Sequence, residues 1–465
     1  MKKVVLILLV GLLIISTFVG CGSKAPADSG TTSTAVSPAS TVKETNTDEK
    51  VEINFACTFV KGEGGWGDMN LAVIDKYVQD NPNVKVNIDA VNSSDYENSK
   101  FKTMAQANML PELFMMLNSN IPAAAQANLL MNWDPVLNGD AAWKDTFLNI
   151  WDEAKYNGSI YGIPFQFIIN QMMFYNSDML AQVGYSTFPT QWDDFLVLCE
   201  KLKAAGKLPL ALGDKDGWPV PSHLVEILSE YQCGPDWVKG IAALSPDYSF
   251  MDPSFIAVLS NIDNLVKKGY FNKDIASIDH NTEDITYLYK EQAAMYPGGP
   301  WQITGMMTDC PPEVLSKIKV APFPAPSNPK SEVKTGLFTG GSGWEYGCNT
   351  KLTDAQKKVC VDIIKALTSS DYAAKDAELG RMPVLKSQYV GNYDKTKVSP
   401  LTTGIMEYIA KCPTIPPMNQ QRNTPALGDV FYKKCQELVA GMSTPEQVAA
   451  DIQTVYEAAV KQNTK

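Results

Sequence analysis

Residues Val51 to Ile88 read VEINFACTFVKGEGGWGDMNLAVIDKYVQDNPNVKVNI, and the change of period within this stretch decides the fold class. Val51, Ile53 and Phe55 alternate with Glu52 and Asn54, the period of two that sends successive side chains to opposite faces of a strand. A loop with Gly62, Gly64, Gly65 and Gly67 around Trp66 follows, and Asp68 is expected to cap a helix. Leu71, Ile74 and Val78 then recur at helical spacing until Asn81-Pro82 stops them, and Val84, Val86 and Ile88 alternate as a second strand. Two strands joined by a helix in this way lie parallel with a right-handed crossover, so the chain opens as an α/β lobe.

Lys100 to Met109 followed by Glu112 to Leu117 repeats the helix-then-strand pattern. Asn157-Gly158 is a tight-turn signal between Trp151 to Tyr156 and Ile160 to Ile163. Helical faces run through Trp192 to Ala205, Ser254 to Lys268, Asp354 to Leu367 and Pro445 to Val460. No solenoid-length repeat is visible, which counts against an array.

Upstream of Val51 the chain is not fold-forming. Met1, Lys2 and Lys3 precede an apolar run from Val4 to Ile15, a secretory-signal pattern too short for the ~20 residues of a spanning helix. Small Gly20 directly before Cys21 resembles the site at which a signal is cut ahead of a lipid-modified bacterial cysteine. Residues 1–20 are therefore expected to be a signal peptide, Cys21 a lipid attachment point, and 21–50, rich in Ser, Thr, Ala and Pro, a disordered tether. This makes the extracellular face of the cell membrane the expected location.

The chain from Val51 onward exceeds the size at which single cores stop growing, so two lobes are expected. Loss of Lys2 and Lys3 with the signal takes the formal net charge from -11 to -13, which disfavours nucleic acid and anionic lipid and suits a neutral or cationic small molecule.

Several segments, in order, resemble the family 1 extracellular solute-binding proteins of ABC importers, the group that includes maltose-binding protein. They are Asn81 to Val86, Leu110 to Phe114, Gly158 to Pro164 (GSIYGIP), Phe174 to Leu180, Pro189 to Phe195, Tyr289 to Trp301 (YKEQAAMYPGGPW) and Gly380 to Val384. Ser159 stands where the family commonly has Lys, and Gln191 interrupts its Thr-Trp pair. The resemblance implies an α/β, two-lobed, type II periplasmic-binding-protein-like fold with ligand in the interlobe cleft and hinge closure around it. Lobe 1 would be 51–165 plus 325–379, and lobe 2 would be 166–324 plus 380–465. It also implies a monomer that captures a sugar, an oligosaccharide above all, and delivers it to an importer's membrane subunits with their ATPase. On that division Cys57, Cys348 and Cys360 fall in one lobe and Cys199, Cys233, Cys310, Cys412 and Cys435 in the other. Two odd counts preclude complete pairing within lobes, and free buried thiols are expected.

A sugar needs flat aromatic surface and planar hydrogen-bonding groups. Trp66 lies at the carboxyl end of a parallel strand, where open α/β sheets place ligands. Asp68, beside it, serves either a hydroxyl or the helix end. Trp301 follows Gly298-Gly299-Pro300 at a family position that commonly faces ligand; Trp218 and Asp216 lie in a turn, and Trp344 follows a Gly-rich run. Phe165 and Gln166 fall where the family chain first crosses between lobes, and Asn118, Ser119 and Arg381 complete the candidates. Trp133, Trp143, Trp151, Trp192 and Trp237 are assigned to packing.

Other chemistries find little support. His223 and His280 are the two histidines, sit in no catalytic signature, and are expected at the surface. Asp214-x-Asp216-Gly217 begins like a calcium loop, but Pro219 and Val225 occupy the positions needing Gly and Glu, so a solvated turn is expected and no metal. No phosphate-binding GxxxxGK[ST] occurs, and no cofactor is expected. The alternatives are a lipid-anchored glycoside-processing enzyme, which needs only two carboxylates, and a binding protein for a non-sugar solute.

Overall fold

A computed structural model describes residues 50–463 apart from 63–64, 413–414 and 423. The expected signal peptide, Cys21 and nearly all of the tether lie outside the described residues. β1 (Val51–Cys57), α1 (Trp66–Asp80) and β2 (Val84–Ala90) form the crossover unit, with β1 and β2 parallel and Val51 opposite Val84. Ile53 and Phe55 are fully buried in a core that they share with Ile74 of α1. The helix begins earlier than its apolar spacing suggests. Gly65 is the N-cap, at φ 73°, a left-handed conformation that costs glycine nothing. Asp68 is therefore not the cap; it sits exposed in the first turn, where its Oδ1 accepts from the Gly62 N–H at 3.1 Å.

β3 (Leu113–Leu117) pairs parallel with β1 on the side away from β2, and its run Leu-Phe-Met-Met is buried on both faces, as a central strand requires. Trp344–Cys348 then pairs antiparallel with β3, and Ile163–Pro164 pairs antiparallel with Trp344–Cys348 to close a five-stranded sheet. A second sheet holds Ile318–Pro322, Met172–Asn176, Ala293–Gly298 and Leu208–Leu210 in that spatial order. The long helices Trp192–Ala204, Pro253–Lys267, Pro425–Val439 and Pro445–Asn463 bury their apolar faces with this second sheet. Each sheet keeps its own core, with Phe55, Phe114, Trp133 and Tyr346 in the first and Phe195, Tyr231, Phe255 and Tyr456 in the second. The molecule is thus two-lobed and α/β.

Where the chain passes between the sheets, the passing segments lie side by side. Ile168–Ile169 pairs antiparallel with Gly340–Gly341, the Asn170 N–H donates to the Thr339 carbonyl (3.3 Å), and the Phe167 N–H donates to the Met382 carbonyl (3.2 Å). Two lobe boundaries fall later than expected. Ala325, Val333 and Leu337 pack in the second core, so that crossing lies near 340; Val384 and Leu385 return to the first core, where the Leu148 N–H donates to the Val384 carbonyl (2.9 Å). Sequence similarity marks a segment, but which core its side chains fill decides its lobe. No disulfide joins the eight cysteines among the described residues, and seven of the eight are buried. No described helix is long and apolar enough to cross a membrane.

Candidate functional site

Three groups of side chains gather at the lobe junction. In the first, the half-buried Trp66 stacks on Phe165 (ring centroids 6.2 Å apart, 23°) and meets Phe59 edge-on at 5.1 Å. The guanidinium of Arg381 lies 4.0 Å from the Trp66 ring centre, a cation–π contact between α1 and the crossing segment. Arg381 also donates to the side-chain carbonyl of Gln166, and its Nε lies 3.3 Å from Asp376 Oδ1. Burial pushes Asp376 up to about 6, and Arg381 is the main pull against it. Four of the residues singled out from sequence, Trp66, Phe165, Gln166 and Arg381, are therefore one constellation.

The second group belongs to the other lobe. Trp218 and Trp301, both half-buried, have ring centroids 6.2 Å apart. A Cβ on Gly299 would fall 1.9 Å from the Trp301 ring, so glycine is what lets the indole fold back over its own turn. Trp301 Nε1 donates to Asn281 Oδ1 at 3.2 Å. The Trp218 loop is no solvated turn: Asp214 is fully buried, and its Oδ1 accepts from the Val220 N–H at 2.9 Å. Asp216, half-exposed, accepts from Ser94 Oγ of the first lobe at 2.7 Å; burial raises its pKa, and Asp279 acts in the same direction.

The two histidines lie under this pair of indoles. Expected at the surface, His223 and His280 are 0% and 1% exposed, because Trp218, Trp301, Tyr296 and Gln302 cover them. His223 Nε2 stands 3.0 Å from His280 Nε2, and His280 Nδ1 stands 2.7 Å from Asp284 Oδ2. Desolvation drives both imidazoles down and the Asp284 carboxyl up.

The third group returns to the first lobe. The Asn118 N–H donates to the Gly343 carbonyl at 3.0 Å, and Trp344 tilts against Tyr96 with centroids 6.1 Å apart. Glu153 accepts from the Ser342 N–H (2.7 Å), the Ser342 hydroxyl (3.0 Å) and the Gly343 N–H (3.3 Å), while burial raises its pKa. Asp68 enters none of these groups.

Between the lobes runs a recess of about 40 Å³, lined by Glu97, Lys102, Ser119 and Asn120 on one side and by Asn419, Arg422, Asp429 and Tyr432 on the other. Room on that scale holds a few waters, and the lobes meet across it. The Tyr432 hydroxyl donates to Glu97 Oε1 (3.2 Å), and Lys102 Nζ lies 2.9 Å from Asp429 Oδ1. Burial pushes Glu97 up to about 7, although the Tyr432 hydrogen bond pulls the other way. Arg422 is 4% exposed; its Nη2 donates to Glu226 Oε2 (3.0 Å), and its Nη1 is buried with no partner among the described residues. A larger hollow of about 360 Å³ lies at Trp143, Lys365, Leu385 and Tyr389, but its lining comes from the first lobe alone, and its Lys365 is already paired with Asp140 at 2.6 Å.

Sequence reading missed Glu97, Lys102, Arg422, Tyr432 and both histidines as site residues. Nothing local marks the first four, which converge from segments separated by over 300 residues. The histidines carried one usable signal, the spacing His280-x-x-x-Asp284, which puts imidazole and carboxylate on one face of a helical turn. The site offers four part-exposed indoles with planar amide, carboxylate and guanidinium groups around them, and no group of three or more His, Cys, Asp or Glu among the described residues could hold a metal.

Comparison with known proteins agrees with this architecture. Residues 67–374 match the family model described as bacterial extracellular solute-binding protein. An uncharacterized ABC transporter extracellular-binding protein of Pyrococcus horikoshii is 25% identical over 419 residues, covering 85% of this chain and 92% of that one. The multiple sugar-binding protein of Streptococcus mutans is 21% identical over 329 residues, 67% of this chain and 70% of that one. Among solved structures, a chitin oligosaccharide binding protein superposes with a TM-score of 0.80 at 24% identity, covering 89% of this chain and 99% of its own.

Proposed function

Because the chain belongs to the family of bacterial extracellular solute-binding proteins, whose members bind solutes and are not enzymes, we propose that it captures a neutral sugar, an oligosaccharide, between its lobes for delivery to the membrane subunits and ATPase of an ABC importer. The observation that carries this reading is the pair of indole surfaces contributed from opposite sides of the junction, Trp66 with Arg381 on one and Trp218 with Trp301 on the other. Their part-exposed rings supply aromatic surface for a pyranose ring, and once the lobes part, Asp216, released from Ser94, and the Arg422 Nη1 that has no partner among the described residues are available for its hydroxyls. The sugar-named relative and structural neighbour support the same ligand class. The cations of the junction do not favour phosphate, since Arg381 is bound to Asp376, Arg422 to Glu226 and Lys102 to Asp429.

Entry requires the lobes to part, since the recess is too small for a sugar ring. The Ser94 to Asp216, Tyr432 to Glu97 and Lys102 to Asp429 contacts give way as the lobes part, and closure around ligand presents the closed form to the importer. The Gly20-Cys21 junction and the tether support a chain held by a lipid on Cys21 at the extracellular face of the membrane, acting as a monomer.

The test is calorimetric titration of residues 51–465 with maltotriose, xylotriose and triacetylchitotriose, followed by chromatography of each mixture. Tight binding of at least one intact sugar is expected. Cleavage products would make the protein an enzyme, and silence from all three would turn the search to peptides and charged solutes.

A further inference from the structure

We propose that His223, His280 and Asp284 share one proton along a buried hydrogen-bonded chain, and that this proton holds Trp218 and Trp301 in the orientation in which they meet the sugar. The part concerning sugar rests on the reading above; the proton chain itself does not.

The Asn170 carbonyl can only accept, so the His223 Nδ1 that contacts it carries a hydrogen. His223 Nε2 and His280 Nε2 stand 3.0 Å apart, a contact that needs one hydrogen between two ring nitrogens. His280 Nδ1 and Asp284 Oδ2 stand 2.7 Å apart and need another. Three bonds need three hydrogens. Two neutral imidazoles and a carboxylate supply one fewer, so the chain holds an additional proton, on the carboxyl or on one of the rings.

Burial independently asks for the same state. His223, His280 and Asp284 are 0%, 1% and 0% exposed, and with the additional proton their summed charge is zero instead of minus one. An uncompensated charge at such a place is costly. Of the other charged groups nearby, Asp279 and Asp216 favour the additional proton and Arg422 opposes it. Asp279 and Asp216 face His280 from the turn and from the Trp218 loop, Arg422 opposes a charge on His223, and Tyr296 stacks on His280 at 5.1 Å while its hydroxyl donates to the His280 carbonyl (2.7 Å). The Gly213 N–H donates to Asp284 Oδ2 (2.6 Å), anchoring the far end.

The chain is also where the indoles rest. Trp301 lies over His223 with 5.9 Å between centroids at 26°, and Trp218 meets His280 edge-on at 5.1 Å. At its near end the chain grips Asn170, whose N–H is bonded to Thr339 in the crossing strands, so one hydrogen-bonded line runs from the interlobe connection to both rings. Removing the proton leaves two lone pairs facing each other at 3.0 or 2.7 Å, and the rings above must shift. His223 and His280 are thus positioning residues for the ligand-facing tryptophans.

The test uses the chain from Gly22 to Lys465 labelled with nitrogen-15, whose two histidines give two assignable ring systems. Long-range proton–nitrogen spectra are expected to show hydrogen on His223 Nδ1, one hydrogen between the two Nε2 atoms, and no titration of either ring between pH 5.5 and 8. Both rings titrating at an ordinary histidine value near 6.5, or both Nε2 atoms bare at pH 7, would overturn the proposal. On the same sample, raising the pH until the chain loses its proton is expected to alter the near-ultraviolet circular dichroism of the wild type but not of the Trp218→Phe/Trp301→Phe double variant; an unchanged wild-type spectrum would refute the positioning role. His223→Phe is expected to weaken binding of maltotriose, xylotriose or triacetylchitotriose, whichever the wild type takes, about tenfold, and to remove the loss of affinity seen where the wild-type chain gives up its proton, above pH 8. If this variant fails to fold, the wild-type spectra still decide. If the spectra are as expected and none of the three sugars binds, the proton chain stands and the sugar reading falls.

Discussion

The two indole clusters do the same geometric job with opposite electrostatics. Trp66 is held by a charged group, the Arg381 guanidinium, which is paired with Asp376. Trp218 and Trp301 rest on a histidine chain that we read as neutral overall. An arginine stays charged at every relevant pH, so the first cluster responds only through Asp376. The second stays ordered only while its proton is present. The lesson is that one binding cleft can carry one wall insensitive to alkaline pH and another sensitive to it.

That contrast can be broken by mutation. Arg381→Met should have the largest effect, because it strands the buried Asp376 without its cation; a loss of about 3–5 kcal/mol in urea unfolding is expected for a broken buried pair. A loss under about 1 kcal/mol would mean that Asp376 is already neutral at pH 7. Next, Trp66→Ala and Trp301→Ala should each weaken sugar binding roughly 100-fold, or about 2.7 kcal/mol, with little change in fold. Equal losses would show that both walls grip the sugar, and a loss confined to one would assign the site to that wall.

The pH dependence separates the clusters further. Asp376 is raised to about 6 in the folded chain, so its contribution is present below the ordinary carboxyl value and is lost as pH rises through 6, then stays flat. The histidine chain holds three protons folded. Unfolded, its three groups hold four between about pH 4 and 6.5 and two above about 6.5. Its contribution to stability therefore rises with pH up to about 6.5 and falls beyond, by up to about 1.4 kcal/mol per pH unit. Denaturant titrations at pH 6.5, 7.5 and 8.5 should show this fall in the wild type and in Trp66→Ala, but not in His223→Phe. The smallest effect belongs to the interlobe rim. Lys102→Ala removes an ion pair that is largely exposed on its Asp429 side, and should weaken sugar affinity by less than about 1 kcal/mol, with the difference vanishing at high salt.

Much of the fold was legible because local periodicity and core burial agree. The alternation of Val51, Ile53 and Phe55 and the helical spacing of Leu71, Ile74 and Val78 each answer to one sheet face, so no distant residue was needed to read them. The helix start was misread by a few residues because Gly65, not Asp68, takes the cap. The boundaries at 325 and 380 were misread because Val333 and Val384 are ordinary apolar residues that either core could take. Among site residues, Trp66, Phe165, Gln166 and Arg381 were each named, but their assembly into one stack was not readable from positions so far apart.

By itself, the sequence determined the α/β class, the run of strands and helices that leads to two lobes, the export-like start and the aromatic inventory of the site. These follow from short-range patterns, in which a residue and its near neighbours share one face or one turn. Only the tertiary structure decided that His223 and His280 lie buried and bonded to each other, that Arg422 and Glu97 face one recess, and that Arg381 lies on Trp66. The physical reason is that hydrogen bonding, desolvation and cation–π contact act over a few ångströms in space, and the residues that meet there are separated in the chain by 57 positions for the histidine pair and by hundreds for the others.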